Sequence, residues 1–571
     1  MDDHRDQPAD DEFAQLAADY LDDRAERHPD AATELGDHRF DAQLASFTTD
    51  ALAADRQALD RWAAALGAVD TSALAPEHQV DAAMMADDVA RQIFEHDELR
   101  EHAWNPLLAN PGRAIYGLLA RDFAPLPDRL ASVAGRLAGV PAALAAARQL
   151  LGPMPKVHLE TAIAQFSGTI ALVTDVIDAA LRDAPECGDD IAAVRPAALD
   201  ALAGHRTWLS ARLSEGAADG GFADPRIGAE LFARKLSLTL NTQADADAIL
   251  ARAHADLDRV SAEIAALAAE IAGRDSRGGG RGRAAAGSDP VVREVLGQLA
   301  AEAPDDTNIL PFGRSALAAQ TSFVRQNRLV SMFDDPVEVI EMPEIDRGVA
   351  VAYCDSPGPL EMAPMPTFIA ISPTPADWPA QRVASFYREY NRHMLHNLMV
   401  HEAMPGHYLQ LQHSRRFSGS ATAIRAALRS GSFVEGWAVY AEQVMAEHGY
   451  PGEGDPRAIR MQQLKMQLRM IINAILDARV HGHGMTEAEA MALMTGRGYQ
   501  EDGEAAGKWR RVLLTSAQLS TYYVGFTEVA DLAGELRAVK PDAAEAEALP
   551  HTIDAPSPAE KPWSPPPAAP T

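Results

Sequence analysis

Between Leu250 and Ile271 apolar side chains return at alternating steps of three and four residues: Leu250, Ala253, Leu257, Val260, Ile264, Leu267 and Ile271. That period matches the 3.6-residue turn of an α-helix, and no strand can satisfy it, so the segment reads as a helix with one apolar face. Thr242 and Asp245 stand before it like a capping pair. An apolar face of that length must be covered by other helices, which makes it the seam of a bundle. Composition extends the argument to the whole chain. Aromatic residues make up only 6% while alanine abounds, and Ala, Leu, Glu and Arg lose little freedom in a helix. The expected fold class is mainly α.

A length of 571 residues exceeds what one hydrophobic core usually serves, so two or more packed units are expected. From about Glu12 to Ile271 amphipathic helices follow one another across short breaks such as "NPGRA" and "LGPMPK", giving an N-terminal helical portion over residues 1–272. The glycine-dense "GRDSRGGGRGRAAAGSD" then marks a flexible, solvated loop at 273–289. In the portion 290–540, "PVEVIEMP", "GVAVAYCD" and "PTFIAIS" are β-branched and bounded by Pro, Gly and Asp, so they read as three strands of a small sheet. Helices continue to about Val539, and the proline-rich tail at 541–571 reads as disordered.

A formal net charge of -31 repels nucleic acid and anionic membrane surfaces, so neither is expected as a partner. Cys187 and Cys354 lie far apart in dissimilar contexts, which disfavours a disulfide and leaves only His and carboxylate groups to hold a metal. The start has no basic segment followed by an apolar run, and no stretch reads as apolar enough to span a bilayer, so a cytoplasmic protein is expected.

The chemistry is concentrated in "VHEAMPGHYLQ", Val400 to Gln410. A zinc peptidase helix places two histidines four residues apart, about 40° around the axis, whereas His401 and His407 are six apart, about 240° on an ideal helix. Pro405 has no N–H for the carbonyl of His401 and its ring clashes there, while Gly406 permits backbone angles closed to other residues. A break right after Met404 is expected, absorbing two surplus residues so that His407 returns beside His401. Catalytic zinc usually takes three protein ligands, and Glu435 in "SFVEGWAVYAEQV" is the best third candidate, with Gly436 leaving room for close approach. Glu442, seven residues on, is the fallback ligand or a partner that orients a histidine. Glu402, rotated about 100° from His401, is placed to take a proton from water and pass it to a leaving amine. His393 and His396 read as packing or surface residues.

"HEAMPGHYLQ", "EGWAVYAEQ", "DARVHGHGMT" and "STYYVG", with the early "RHPDAATELGDHRFDAQL", resemble a widespread bacterial family catalogued as a domain of unknown function and grouped with the gluzincin zinc peptidases. The likeness spans nearly the whole chain. It implies a zincin-like catalytic unit with a small β-sheet, joined to the large N-terminal helical portion. It also implies His401, His407 and Glu435 as ligands of one Zn2+ ion and Glu402 as general base. Tyr522 is implied as a hydrogen-bond donor to the oxyanion, with Tyr523 its stand-in on a shift of register. Asp477 and His481 match a family pattern in which the aspartate orients the histidine towards developing charge or a substrate carboxylate. Arg479 and Met485 depart from that pattern, where glycine and tryptophan are usual.

These residues lead to an expectation of zinc-dependent hydrolysis of peptide bonds, in short peptides if the helical portion walls the cleft. Two alternatives stand beside it: a metal-dependent hydrolase or tailoring enzyme acting on a non-peptide amide, and an inactive helical binding protein.

Overall fold

The computed structural model describes residues 8–242, 245–274, 290–343, 351–375, 378–417 and 422–539. Two expectations, the glycine-rich loop beyond Arg274 and the proline-rich tail, lie outside these residues. Among the described residues the fold is mainly helical with one small sheet, and the chain divides into two units.

Unit 1 comprises Met1–Pro225, Pro357–Met365 and Arg415–Arg429. Its two late segments are fastened within the unit. Glu361 bonds His38 Nε2 at 2.8 Å, and buried Asp81 receives Arg425 Nε at 2.7 Å and the Thr422 hydroxyl at 2.5 Å. Leu126–Leu150 and Lys156–Asp183, with mean hydropathy 1.5 and 1.3, are long and apolar enough to cross a membrane, which corrects the expectation that no such stretch exists. Alanine is the reason, since it raises hydropathy without supplying the bulky residues that catch the eye. Both helices pack against Gly188–Asp219, and Arg136, fully buried on the first, donates to the carbonyls of Gln43 and Ala114 and to the Thr33 hydroxyl.

Unit 2 comprises Arg226–Ser356, Pro366–Ser414 and Ser430–Thr571, so its boundary falls well before residue 272. The helix Ala246–Ile271 belongs here and not to the N-terminal portion. It buries Ile249, Ala253, Leu257, Val260, Ile264 and Ala268 against the long helix Pro456–His483. The bundle seam is therefore present, shifted by about one residue at its ends. Its N-cap is Asp245, which accepts from Ala248 N at 2.7 Å, rather than Thr242. Pro456–His483 is buried on every face, including polar Gln463, Asn473 and Asp477, as befits the central helix of a bundle.

Three strands form the sheet: β1 (Val337–Glu341), β2 (Ala352–Asp355) and β3 (Thr367–Ile371), in the order β1-β3-β2. β1 runs parallel to β3 with Val339 opposite Ile369, and β2 runs antiparallel with Cys354 opposite the same residue. β3 is the central strand and is nearly all buried, which accounts for its continuous apolar run.

Candidate metal centre

Asn391 opens the helix Arg392–Glu402 by accepting from Met394 N at 3.2 Å. The helix stops at Glu402, two residues before the expected break, and a second one, His407–Phe417, starts at His407 itself. The surplus residues are thus spent between two helices rather than in a bulge of one. Across the corner the Met404–Pro405 peptide is cis, Gly406 N–H bonds the Val400 carbonyl at 3.0 Å, and Trp437 Nε1 bonds the Pro405 carbonyl at 2.9 Å. Gly406 has no substitute here, because a Cβ would lie 1.9 Å from the His401 carbonyl oxygen.

The corner brings the two imidazoles together edge to face, with ring centroids 4.7 Å apart. Glu435, on the helix Gly431–Glu447, completes the group: its Oε2 lies 3.4 Å from His401 Nε2 and 3.6 Å from His407 Nε2. One ligand atom from each of the three falls within 4.8 Å of the others. Two atoms each bound to zinc at about 2.0–2.1 Å and a tetrahedral angle stand roughly 3.4 Å apart, so the set fits a tetrahedral ion with one position left open. Among the described residues, buried Glu435 Oε2 has no well-formed hydrogen bond. Burial opposes its charge, but the two imidazoles prevail and hold the carboxyl below the usual carboxylate range. An acceptor oxygen kept anionic between two nitrogens is what a divalent cation would satisfy.

Glu442 lies outside this group and orients His401. Its Oε1 takes His401 Nδ1 at 2.8 Å and its Oε2 takes the Asn397 amide at 2.5 Å, leaving Nε2 of His401 turned to the centre. Replacing Glu442 by Ala is expected to weaken zinc binding about 10–100-fold, measured by competition with a chelator. His401 is pulled down by burial, yet its contacts with Glu435 and Glu442 win and raise its pKa well above the ordinary value. A cation must displace that proton, so apparent zinc affinity should fall about tenfold for each pH unit of acidification per proton displaced. The same competition titration run between pH 8 and pH 6 checks this.

Glu402 is buried at the corner beside the sheet, where the backbone N–H of Cys354 in β2 bonds its carboxylate. Burial raises its pKa, suiting a group that must take up and release a proton. Tyr522 stands in the first turn of the helix Ser520–Val539, which crosses Gly431–Glu447 at Gly525 and Gly436. There the backbones nearly touch, a Cβ on Gly525 meeting the Ser432 carbonyl oxygen at 1.8 Å. Burial, reinforced by the nearby Glu435 charge, raises the Tyr522 pKa, so the phenol keeps its proton. Its oxygen accepts from Arg511 Nη2 at 3.1 Å. Tyr523 points into the core and bonds Asp256 at 2.7 Å, which removes it as the alternative.

His481 is not brought to this group. Its Nε2 faces the carbonyls of Val512 and Thr515, both at 2.9 Å, and Asp477 is taken up by the Ala517 and Ser520 amides and the Ser520 hydroxyl. The pair fastens the turn that leads into Tyr522; four-residue spacing gave the shared helical face but not what it would meet. Arg479 stands 4.0 Å from Glu489 near the end of the same helix, and Met485 is buried. His393 and His396 are packing residues as expected, and burial lowers the His396 pKa to about 4. Sequence reasoning missed Asn397, Cys354 N–H, Arg511 and Lys508. Asn397, one turn before His401, carried a readable signal; the other three are assembled only by the fold.

No curated protein matches the chain. Solved structures do, among them these two. One, from Shewanella oneidensis, is provisionally named a lipoprotein of unknown function; it is 27% identical with a TM-score of 0.79, covering 96% of this chain and 98% of that one. The other, from Colwellia psychrerythraea, is also provisionally named a lipoprotein; it shares the fold at 15% identity and a TM-score of 0.77, covering 97% of each chain. These findings overturn the expected cytoplasmic location, because both matched proteins carry the name lipoprotein. The sequence profile of a family described as "Bacterial protein of unknown function (DUF885)" matches residues 29–547, and the chain belongs to that family.

Proposed function

We propose that the protein is a zinc-dependent peptidase of the gluzincin type acting on short peptides. The observation that carries this reading is the convergence of His401 Nε2, His407 Nε2 and the orphaned Glu435 Oε2 beside a buried glutamate that is not a ligand. A divalent cation held there would supply Lewis acidity to a scissile carbonyl and acidify water; zinc suits the donor set, and manganese or cobalt would also be accepted. Glu402 takes the proton of the attacking water on its carboxylate and returns it to the leaving amine as the C–N bond breaks. The Tyr522 hydroxyl donates to the oxyanion, its lone pair already engaged by Arg511. β2 lies at one margin of the sheet and reaches Glu402 through Cys354 N–H, so a peptide extended along it would pass the base.

Tyr522→Phe is expected to lower kcat about 100-fold with little change in bound zinc, as loss of one oxyanion donor does. Metal analysis joined to a peptide-library digest tests the whole reading. One zinc per chain with cleavage products is the expected result, and a zinc-loaded protein that cuts no peptide but releases acylated amines would move the function to non-peptide amides.

A further inference from the structure

Resting on that reading, we infer that Arg511 and Lys508 form a receptor for the free C-terminal carboxylate of the substrate, so that cleavage occurs near a carboxyl end and not internally. The chain carries 82 acidic against 51 basic residues, and carboxylate partners are plentiful. Arg511 nevertheless has none within ion-pair distance among the described residues. Its Nη2 is spent on two neutral acceptors, the Gln518 side-chain oxygen at 2.9 Å and the Tyr522 hydroxyl at 3.1 Å. Its Nη1 and Nε make no hydrogen bond there, and the side chain is only half-buried, so a ligand can reach it.

Lys508 lies three residues earlier on the same helix, Asp502–Leu514, and therefore on nearly the same face. It is 5% exposed and makes no hydrogen bond or ion pair among the described residues. Glu504, the nearest candidate partner on its own helix, is committed to Arg469 and the Tyr390 hydroxyl. The other carboxylate that acts on Lys508 is Glu435, whose charge a bound cation would consume. A buried ammonium without an anion is unfavourable. Burial and the neighbouring Arg469 and Arg511 accordingly hold the Lys508 pKa well below the lysine value.

Position names the anion. The same guanidinium that steadies the Tyr522 hydroxyl would hold a carboxylate through its remaining N–H groups, in the fork geometry that arginine offers. With Tyr522 at the scissile carbonyl and about 3.3–3.6 Å of extended chain per residue, only one or two residues fit between. Hydrolysis is balanced by water alone: hydroxide adds to the acyl carbon and the proton goes to the amine of the released C-terminal residue or dipeptide. An amidated end would leave the Arg511 guanidinium without an anion and Lys508 without the carboxylate that favours its charged form, and such a mismatch is strongly selected against.

The test uses the full-length, zinc-loaded protein and matched peptides ending in a free acid, an amide, or a long extension. The free acid is expected to be cleaved with kcat/KM about 100-fold above the amide. Lys508→Met and Arg511→Met should each bring that ratio within about fivefold of unity, and Arg511→Lys should recover part of it. The ratio is the readout because Arg511→Met also slows turnover through Tyr522, which a merely structural role would do equally for both ends. Calorimetry on Glu402→Gln supplies a readout without turnover: the acid should bind at least about tenfold tighter than the amide. Equal cleavage and equal binding of acid and amide by the wild type and Glu402→Gln overturn the proposal, as does a ratio unchanged in both the Lys508 and Arg511 variants. If no peptide is cut, the peptidase reading fails on its own, and the calorimetric preference alone decides whether the receptor exists.

Discussion

Glu402→Gln is expected to lower kcat/KM on any cleaved peptide by about 10³–10⁴-fold while one zinc per chain remains bound. The substitution keeps the shape of the side chain and its acceptor oxygen for Cys354 N–H, but the amide cannot take a proton from water. None of the proposed ligands is touched, since His401, His407 and Glu435 form the candidate group without it. The carboxylate it replaces is one of four ionisable groups crowded at the centre, and burial already biases it towards the neutral form. Removing it should therefore leave stability nearly unchanged or slightly raised. Rates and inductively measured metal content on the same preparation check both halves. A variant as active as wild type would remove Glu402 as the base, and one that loses its zinc would make it part of the ligand set.

Gly406→Ala is expected to abolish the site by a different route. The added methyl carbon would stand 1.9 Å from the His401 carbonyl oxygen and 2.3 Å from that of Val400. Both are backbone atoms at the end of a packed helix, so neither can swing aside as a flexible side chain would. Either the corner opens and His407 moves away from His401, or the clash is retained as strain. A loss of about 4 kcal/mol in stability is expected, in the range that marks forced backbone rearrangement, and bound zinc should fall below about one tenth of the wild-type amount. Gly297→Ala is the control. It lies in the helix Pro290–Ala300 with nothing among the described residues within 4 Å of the added carbon, and should stabilise by about 0.5–1 kcal/mol. Thermal unfolding and chelator competition on both variants make the comparison, and a Gly406→Ala protein with unchanged zinc affinity would contradict the close-packed corner.

Much of the local architecture was legible. Helical periodicity located the seam from Leu250 to Ile271, and β-branched runs located all three strands. Proline in an otherwise helical motif announced the corner, because loss of one N–H and a clash with the carbonyl four residues back are local events. The break came two residues earlier than expected, since the end of a helix also depends on how the following corner is hydrogen-bonded, here through Val400 and Trp437. The unit boundary was misread for a different reason. Amphipathicity shows that Ala246–Ile271 has an apolar face but does not specify its partner, and the partner is Pro456–His483, about 200 residues away. The same limit explains His481. Its helical neighbour Asp477 was visible, whereas the carbonyls of Val512 and Thr515 that engage it were not.

By itself the sequence determined what depends on neighbours along the chain: mainly helical structure, three strands, a corner at Pro405–Gly406, and a His-Glu pair with a second histidine six residues on. The tertiary structure alone decided which oxygen of which distant glutamate meets those imidazoles, that Glu442 holds the Nδ1 side of His401, and that Tyr523 rather than Tyr522 bonds Asp256. Only it shows Arg511 beside the Tyr522 phenol with no carboxylate within ion-pair distance among the described residues. The physical reason is that hydrogen-bond periodicity and backbone sterics act over a few residues, while a ligand set, a pKa shift and an unpaired charge are properties of groups that meet only when packing brings separate helices together.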